Sequence, residues 1–153
     1  MKQVIHGQQA LQKEGIYHID IKLTNMLINS NNVVKLIDFG LSELTDKEVQ
    51  GIIGASGYYT YEMITGVLFR PSGVDTWNDG VCIYKILYGD YPFGRSSDKY
   101  EQNVKDLKWS ISEKRHPSQE LVDLLNHTLQ PVEKRIQLSR ILEHPWFKVD
   151  KIN

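Results

Sequence analysis

The 153-residue sequence is short of several features that would narrow its function early. It has one cysteine, Cys82, so an intrachain disulfide framework is excluded and a reducing compartment suits the chain. Cys82 falls in an apolar helical run, which predicts a buried core thiol rather than a reactive one. The net charge is −1, so nothing points to nucleic acid or a membrane surface as a partner. The N-terminal stretch MKQVIHGQQALQ lacks a long apolar segment. Neither a signal peptide nor a membrane span is expected, and the expected location is intracellular, in the cytoplasm. Internal repeats and low-complexity tracts are absent as well. What remains is ordinary for a globular chain: 41% hydrophobic and 24% charged residues, enough for one domain with a real core.

The informative stretch runs from His18 to Gly40, HIDIKLTNMLINSNNVVKLIDFG. Asp20 is followed two positions later by Lys22 and five later by Asn25. Two short apolar runs, Met26–Ile28 and 33–37, flank the polar Asn29-Ser30-Asn31-Asn32, which predicts a β-hairpin. The second run ends in Asp38-Phe39-Gly40, and a hairpin would return Asp38 beside Asn25. The result is a base, a cation and two oxygen ligands on neighbouring backbone. Phosphoryl transfer wants this set. Mg²⁺ takes hard oxygen ligands, usually one or two from protein, which suits the Asn25 amide and the Asp38 carboxylate. Asp20 suits the carboxylate that orients an attacking hydroxyl and accepts its proton. Lys22 suits neutralisation of the transferred group. A solvated hairpin with polar turns would explain the loops but not their joint spacing.

HIDIKLTN followed by IDFG resembles the catalytic loop and the metal-binding loop of eukaryotic serine/threonine protein kinases. The resemblance implies a mainly α fold: the large lobe of a kinase, a helical bundle with a short β-hairpin carrying both loops. It implies ATP and Mg²⁺, with Asp20 and Lys22 catalytic, Lys22, Asn25, Leu27 and Asp38 toward the nucleotide, and Asn25 and Asp38 on metal. Leu27 falls where the family places the apolar floor under adenine. His18 and Phe39 fall in a column of apolar contacts beneath the metal loop. Two other members of that four-residue column are absent. The expected domain is 1–147, with a C-terminal tail at 148–153.

The rest of the chain extends the likeness and departs from it. A helix is predicted over 2–14, with Val4, Ile5, Ala10 and Leu11 as its stripe and Gly15 as its stop. Ile19 stands where many kinases carry an Arg that receives a loop phosphate, which removes that pairing although Ser42 and Thr45 remain available hydroxyls. Leu23-Thr24 replaces the commoner Pro-Glu, which removes one argument for basic substrates. Residues 41–53 read as a mobile loop, and Gly51, Gly54 and Gly57 as backbone freedom rather than a phosphate loop. GASGYYTYE resembles the end of the activation segment, with Ala55 in place of a bridging Thr and Ser56 as the neighbouring hydroxyl. Residues 74–93 resemble the family's buried central helix, with Trp77 in the core and Gly89 and Pro92 at its end. Asp75 is placed at the N-terminus of that helix, either as its cap or as a brace for the catalytic loop. Residues 95–117 are loosely patterned. A helix from Ser118 carries Leu121, Val122, Leu124, Leu125 and Leu129, with Ser118 as N-cap, and Pro131 breaks it. Arg135 matches the residue that pairs with Glu62, and Trp146 and Phe147 are expected to anchor the C-terminus.

Only 17 residues precede His18, and they read as a helix. The glycine-rich loop, strand Lys and helix Glu of a kinase small lobe are not found. The expectation is a nucleotide site with a floor and metal ligands but no roof, inactive alone unless a longer parent chain supplies the small lobe. The alternative is a non-catalytic, pseudokinase-like module that docks proteins. Expected partners are a protein substrate or a docking protein, with no nucleic acid and no membrane.

Overall fold

The computed structural model describes residues 1–95, 99–111 and 115–148. Apart from Lys148, the expected tail lies outside the described residues. Among those residues there are six α-helices and one two-stranded antiparallel sheet, the mainly helical architecture expected. No described helix is long and apolar enough to cross a membrane.

Helix α1, Lys2–Lys13, buries Val4, Ile5 and Gln8. Its stripe is narrower than the apolar spacing suggested, because Ala10 is exposed and Leu11 only half-buried. Gln8 takes the inner position instead, and its Nε2 donates to Asp79 Oδ1 at 3.2 Å. Burial pushes the Asp79 carboxyl well above its usual range. Gly15, at φ 72°, turns the chain out of the helix.

The hairpin follows a single turn of 3₁₀ helix at Leu23–Asn25. Strand β1 is Met26–Ile28 and β2 is Val34–Leu36, in the register Met26–Leu36, Leu27–Lys35 and Ile28–Val34. The turn between them forms because Asn29 Oδ1 accepts the N–H groups of Asn31 (3.0 Å) and Val33 (2.9 Å). Asn32 supplies the left-handed residue at φ 59°.

The segment after the hairpin is more firmly tied than a polar loop suggests. Isolated β-bridges join Tyr17 to Glu43 and Val49 to Phe69. Asp46 accepts the backbone N–H and the hydroxyl of Ser72 at 2.8 and 2.9 Å. Ile19, Met63, Phe69 and Val74 are buried together, with Val49 and Ile53 against them. Helix α2, Tyr61–Thr65, follows; its N-cap is Thr60, whose hydroxyl accepts the Met63 N–H at 3.3 Å.

Helix α3, Pro71–Tyr88, is the centre of the molecule. It starts earlier than residue 74 because Pro71 occupies its first position, where a missing N–H costs nothing. Asp75 therefore lies inside the helix and does not cap it. Its carboxylate reaches the catalytic loop, accepting the N–H of His18 at 3.2 Å and of Ile19 at 2.8 Å. Trp77 is fully buried and stacks on Phe93, with ring centroids 5.4 Å apart. At Gly80 a Cβ would lie 2.4 Å from Thr128 Oγ1, so only glycine lets α3 approach the following layer this closely. Gly89, at φ 78°, closes the helix.

The loosely patterned stretch contains α4, Tyr100–Lys105, which buries Tyr100 and Val104. Residues 96–98 and 112–114 of that stretch lie outside the described residues. Helix α5, Gln119–Thr128, starts on Ser118, whose hydroxyl accepts the Leu121 N–H at 3.2 Å, and it buries Leu121, Leu124 and Leu125. A 3₁₀ turn at Ile141–Glu143 leads to α6, Pro145–Lys148, where Phe147 is buried and Trp146 half-buried.

Glu62 and Arg135 form a buried two-pronged ion pair, both contacts 2.9 Å. The other two nitrogens are also engaged: Arg135 Nε donates to Gln130 O at 2.8 Å and Nη1 to Gly73 O at 2.7 Å. Glu62 Oε1 also accepts the Val132 N–H at 2.7 Å. The guanidinium lies over Trp77, 5.1 Å from the ring centroid. This pair ties α2, α3 and the segment after α5 at one point. Truncation of one partner leaves an uncompensated buried charge. Arg135→Met should cost about 3–5 kcal/mol in urea unfolding, and the double change Arg135→Met with Glu62→Leu should cost clearly less.

The Asp75 brace makes a separate prediction. Burial raises its pKa to about 6 from 3.8, against the opposing pull of the two N–H groups. A carboxyl with a raised folded-state pKa contributes stability that is complete below 3.8 and lost as the pH rises through about 6. Asp75→Asn, which does not titrate, should be destabilised at neutral pH. The gap in unfolding free energy between parent and variant should widen as the pH falls from about 6 to 4, by at most about 3 kcal/mol, in denaturation series run across that range.

Candidate active site

The catalytic loop is held in a shape the chain would not choose alone. Ile19 sits at φ 62°, a left-handed conformation that is costly for a β-branched residue. The surroundings hold it there. Asp75 binds its N–H, Asn78 Nδ2 donates to its carbonyl at 3.4 Å, and its side chain is buried. This apolar burial occupies the position from which an Arg could have met a loop phosphate.

His18 is fully buried and structural, as its position suggests. Its Nδ1 accepts the Asp20 N–H at 3.3 Å, which leaves Nε2 to carry the proton and donate to Ile37 O at 3.2 Å. Desolvation lowers its pKa, outweighing the hydrogen bond to Ile37 and the pull of Asp20, so the ring is neutral at pH 7. Phe39 lies against the ring, centroids 4.8 Å apart. The imidazole thus couples the catalytic loop to the residues on either side of Asp38.

Asp20, Lys22 and Asn25 meet directly. Lys22 Nζ lies 2.6 Å from Asp20 Oδ2, and Asn25 Nδ2 donates to the same oxygen at 3.0 Å and to the Asp20 carbonyl at 2.9 Å. Asp20 is 5% exposed and Asn25 4%. No described residue donates to Asp20 Oδ1, and its near neighbour is the activation segment: a Cβ on Gly54 would stand 3.7 Å away. Gly51, Gly54 and Gly57 all have positive φ, so these glycines supply backbone freedom. Ser56 is exposed and bonds neither Asp20 nor Lys22. The bridge that Ala55 cannot make is therefore not replaced among the described residues.

Asp38 is joined to this group through the backbone. The Ile37 N–H donates to Asn25 O at 3.0 Å, which sets Asp38 one residue beyond Asn25 on the returning strand. Asp38 is exposed, at φ 63°, and Oδ1 accepts the Gly40 N–H at 3.3 Å. A side chain at position 40 would crowd that oxygen, since its Cβ would stand 3.2 Å away. The donor set fits a hard divalent cation. Both Asn25 amide protons are spent on Asp20, leaving its Oδ1 without a described donor, and Asp38 presents a carboxylate in the open. Leu27 stands apart, 56% exposed on β1. Ile37, two residues past Leu27's partner Lys35, is exposed on the same side of the hairpin, whereas the exposed Ile28 points to the opposite face; Phe39 is also exposed.

A second cluster needs no ion. Asp123, His127 and His144 could converge on a metal. However, His144 Nδ1 accepts the Trp146 N–H at 3.3 Å, so its Nε2 carries the proton and donates to Asp123 Oδ2 at 2.9 Å. That pairing is complete as it stands.

The sequence reading missed the firm side of the activation segment. Thr60, which caps α2, is a residue that sequence reasoning did not single out as a cap. The S/T-x-x pattern before α2 could have revealed it.

Comparison with known proteins agrees with the geometry. The protein kinase domain family matches residues 1–147. CBL-interacting protein kinase 31 of Oryza sativa subsp. japonica is 32% identical over 158 residues, which is 96% of this chain and 34% of that protein. The serine/threonine-protein kinase PSK2 of Saccharomyces cerevisiae is 31% identical over 150 residues, 97% of this chain and 13% of that protein. The protein kinase domain-containing protein ppk9 of Schizosaccharomyces pombe is 32% identical over 154 residues, 97% and 28% respectively. The chain spans about a third or less of the length of these relatives. With the loop pair of Asp20 and Asp38, the Glu62–Arg135 tie and a family match across almost its whole length, the chain belongs to the protein kinase family, in its serine/threonine branch.

Proposed function

We propose that this chain carries the catalytic and metal-binding half of a site that transfers the γ-phosphate of ATP to Ser or Thr hydroxyls of protein substrates. The observation that carries the reading is the convergence of Lys22 and Asn25 on one oxygen of Asp20, which leaves the other oxygen facing the activation segment. The acceptor hydroxyl would form its bond to the γ-phosphorus as the bond to the bridging oxygen breaks, and its proton would pass to Asp20 Oδ1. Lys22, held beside Asp20, brings its ammonium to the transferring group. Asn25 holds the Asp20 carboxylate in orientation through its amide protons, and its own oxygen is available with Asp38 for Mg²⁺. When bound, that ion would offset phosphate charge and fix the nucleotide. Leu27 would lie under the base.

The roof over the nucleotide is not among these residues, and Leu27 and Ile37, on one side of the hairpin, and Phe39 meet water. A small lobe carried by a longer parent chain would cover this face, exclude water and hold the phosphates in line. Residues 1–153 alone should therefore transfer no phosphate. The second reading, a non-catalytic docking module, draws support from Ala55 and from the same uncovered apolar face.

Radiolabelled ATP and a mixed Ser/Thr peptide library would separate the two. The full-length native protein should incorporate label, and Asp38→Ala should abolish incorporation. Asp20→Asn should lower kcat by about 10²–10⁴-fold with little change in the KM for ATP. Absence of label with the full-length protein, together with a melting midpoint unmoved by Mg²⁺-ATP, would favour the docking module.

A further inference from the structure

The activation segment runs from Asp20 to a second group of side chains that phosphoryl transfer does not use. Gly54 lies against Asp20, and Gly57, three residues on, lies against Tyr91. A Cβ at Gly57 would stand 2.6 Å from the Tyr91 ring, so that ring packs directly against the segment's backbone. Tyr91 also meets Tyr58 edge to face, centroids 5.6 Å apart.

Two cations attend this ring. Lys85, half-buried on α3, places Nζ 3.9 Å from the Tyr91 centroid, donates to its hydroxyl, and lies 6.0 Å from the Tyr58 centroid. Arg95, exposed, holds its guanidinium 5.7 Å from the Tyr91 centroid. Among the described residues no carboxylate pairs with either of them; the ion pairs lie elsewhere. The nearby Asp90 carboxylate is engaged by the Tyr91 N–H at 2.8 Å. Lys85 is thus a partly desolvated cation held in place by two aromatic rings, beside the segment that passes the proposed base.

We propose that Lys85 and Arg95, seated on Tyr91, form a cationic rim that selects protein substrates with an Asp or Glu close to the acceptor Ser or Thr. The distance fits. Three residues of extended chain span at most about 11 Å, and a turn closed by Tyr58 N–H on Ala55 O shortens Gly54 to Gly57 further, so the rim lies within about three peptide residues of the acceptor position. Thr24 in the catalytic loop offers no carboxylate to a basic substrate. Basic residues at that distance would meet like charge, and acidic ones would meet two cations.

This inference rests on Asp20 as the base, and the experiment has one arm that does not. In the first arm the full-length native protein phosphorylates matched peptides that carry Glu, Gln or Lys at each position within about three residues of one Ser. The Glu peptide should exceed the Lys peptide in kcat/KM by about tenfold at low salt, and added salt should shrink the ratio. Lys85→Glu should reverse the preference, and the exposed Arg95→Glu should reduce it about threefold. Arg95→Glu keeps the test open if Lys85→Glu fails to fold, which a thermal melt would reveal. In the second arm the same peptides, fluorescently labelled, are titrated without nucleotide and followed by anisotropy. The parent should bind the Glu peptide more tightly than the Lys peptide, and the variants should lose that difference. Equal use and equal binding of all peptides by the parent would overturn the rim and leave the kinase reading standing. No transfer to any peptide, with charge-selective binding retained, would sink the kinase reading and support the rim. A preference for Glu that survives both substitutions would overturn the assignment to Lys85 and Arg95.

Discussion

One carboxylate in the middle of the molecule sets the geometry of the site. Asp75 accepts two consecutive backbone N–H groups of the catalytic loop and keeps Ile19 in a conformation that is unfavourable for that residue. Asp20, Lys22 and Asn25 follow within six residues, so their mutual contacts inherit that fixed start. Asp75 is itself placed by the most buried helix of the structure. A buried acid bonded only to backbone amides is costly in isolation, and the structure offsets the cost with a loop whose direction cannot drift. Glu62 and Arg135 do comparable work at the other end of the activation segment, where every polar atom of the guanidinium contact has a partner.

Ile19 shows how the same frame can be maintained by a different force. Its side chain shares a small apolar cluster with Met63, Phe69 and Val74, and the bridges at Tyr17 and Val49 close the loop over it. Apolar burial holds whatever the phosphorylation state, and it does not weaken with ionic strength as a charge pair does. The activation segment is therefore anchored by packing between its two ends. The hairpin face that carries Leu27 and Ile37 behaves differently: among the described residues neither side chain is buried.

Much of this was legible in the sequence, for physical reasons. The Asp20-to-Asp38 stretch could be read because its spacing and its turn residues are local properties of the backbone, and Asn29 formed the turn its side chain favours. Helices α1 and α5 were legible from periodicity and from the Ser118 cap. The Glu62–Arg135 tie was legible only through family likeness, since 72 intervening residues carry no local signal. Other features were not accessible. Helix α4 has too few turns to make a periodic pattern, and only its long-range burial of Tyr100 and Val104 defines it. The start of α3 was placed too late because Asp75 looks like a cap by composition, whereas Pro71 had already begun the helix. The inner face of α1 includes Gln8 rather than the Ala10 of the expected stripe, because Gln8 reaches Asp79 across the interface. The group around Tyr91 joins three separate segments, which no short window of sequence contains.

The lone thiol has a consequence of a different kind. Cys82 lies fully buried midway along α3, and burial pushes its pKa up, so an alkylating reagent cannot reach a thiolate in the closed molecule. Within these 153 residues no other cysteine competes, so each modification event at Cys82 would count one opening of the central helix. The chain thus contains its own clock for the rate at which its innermost layer breathes.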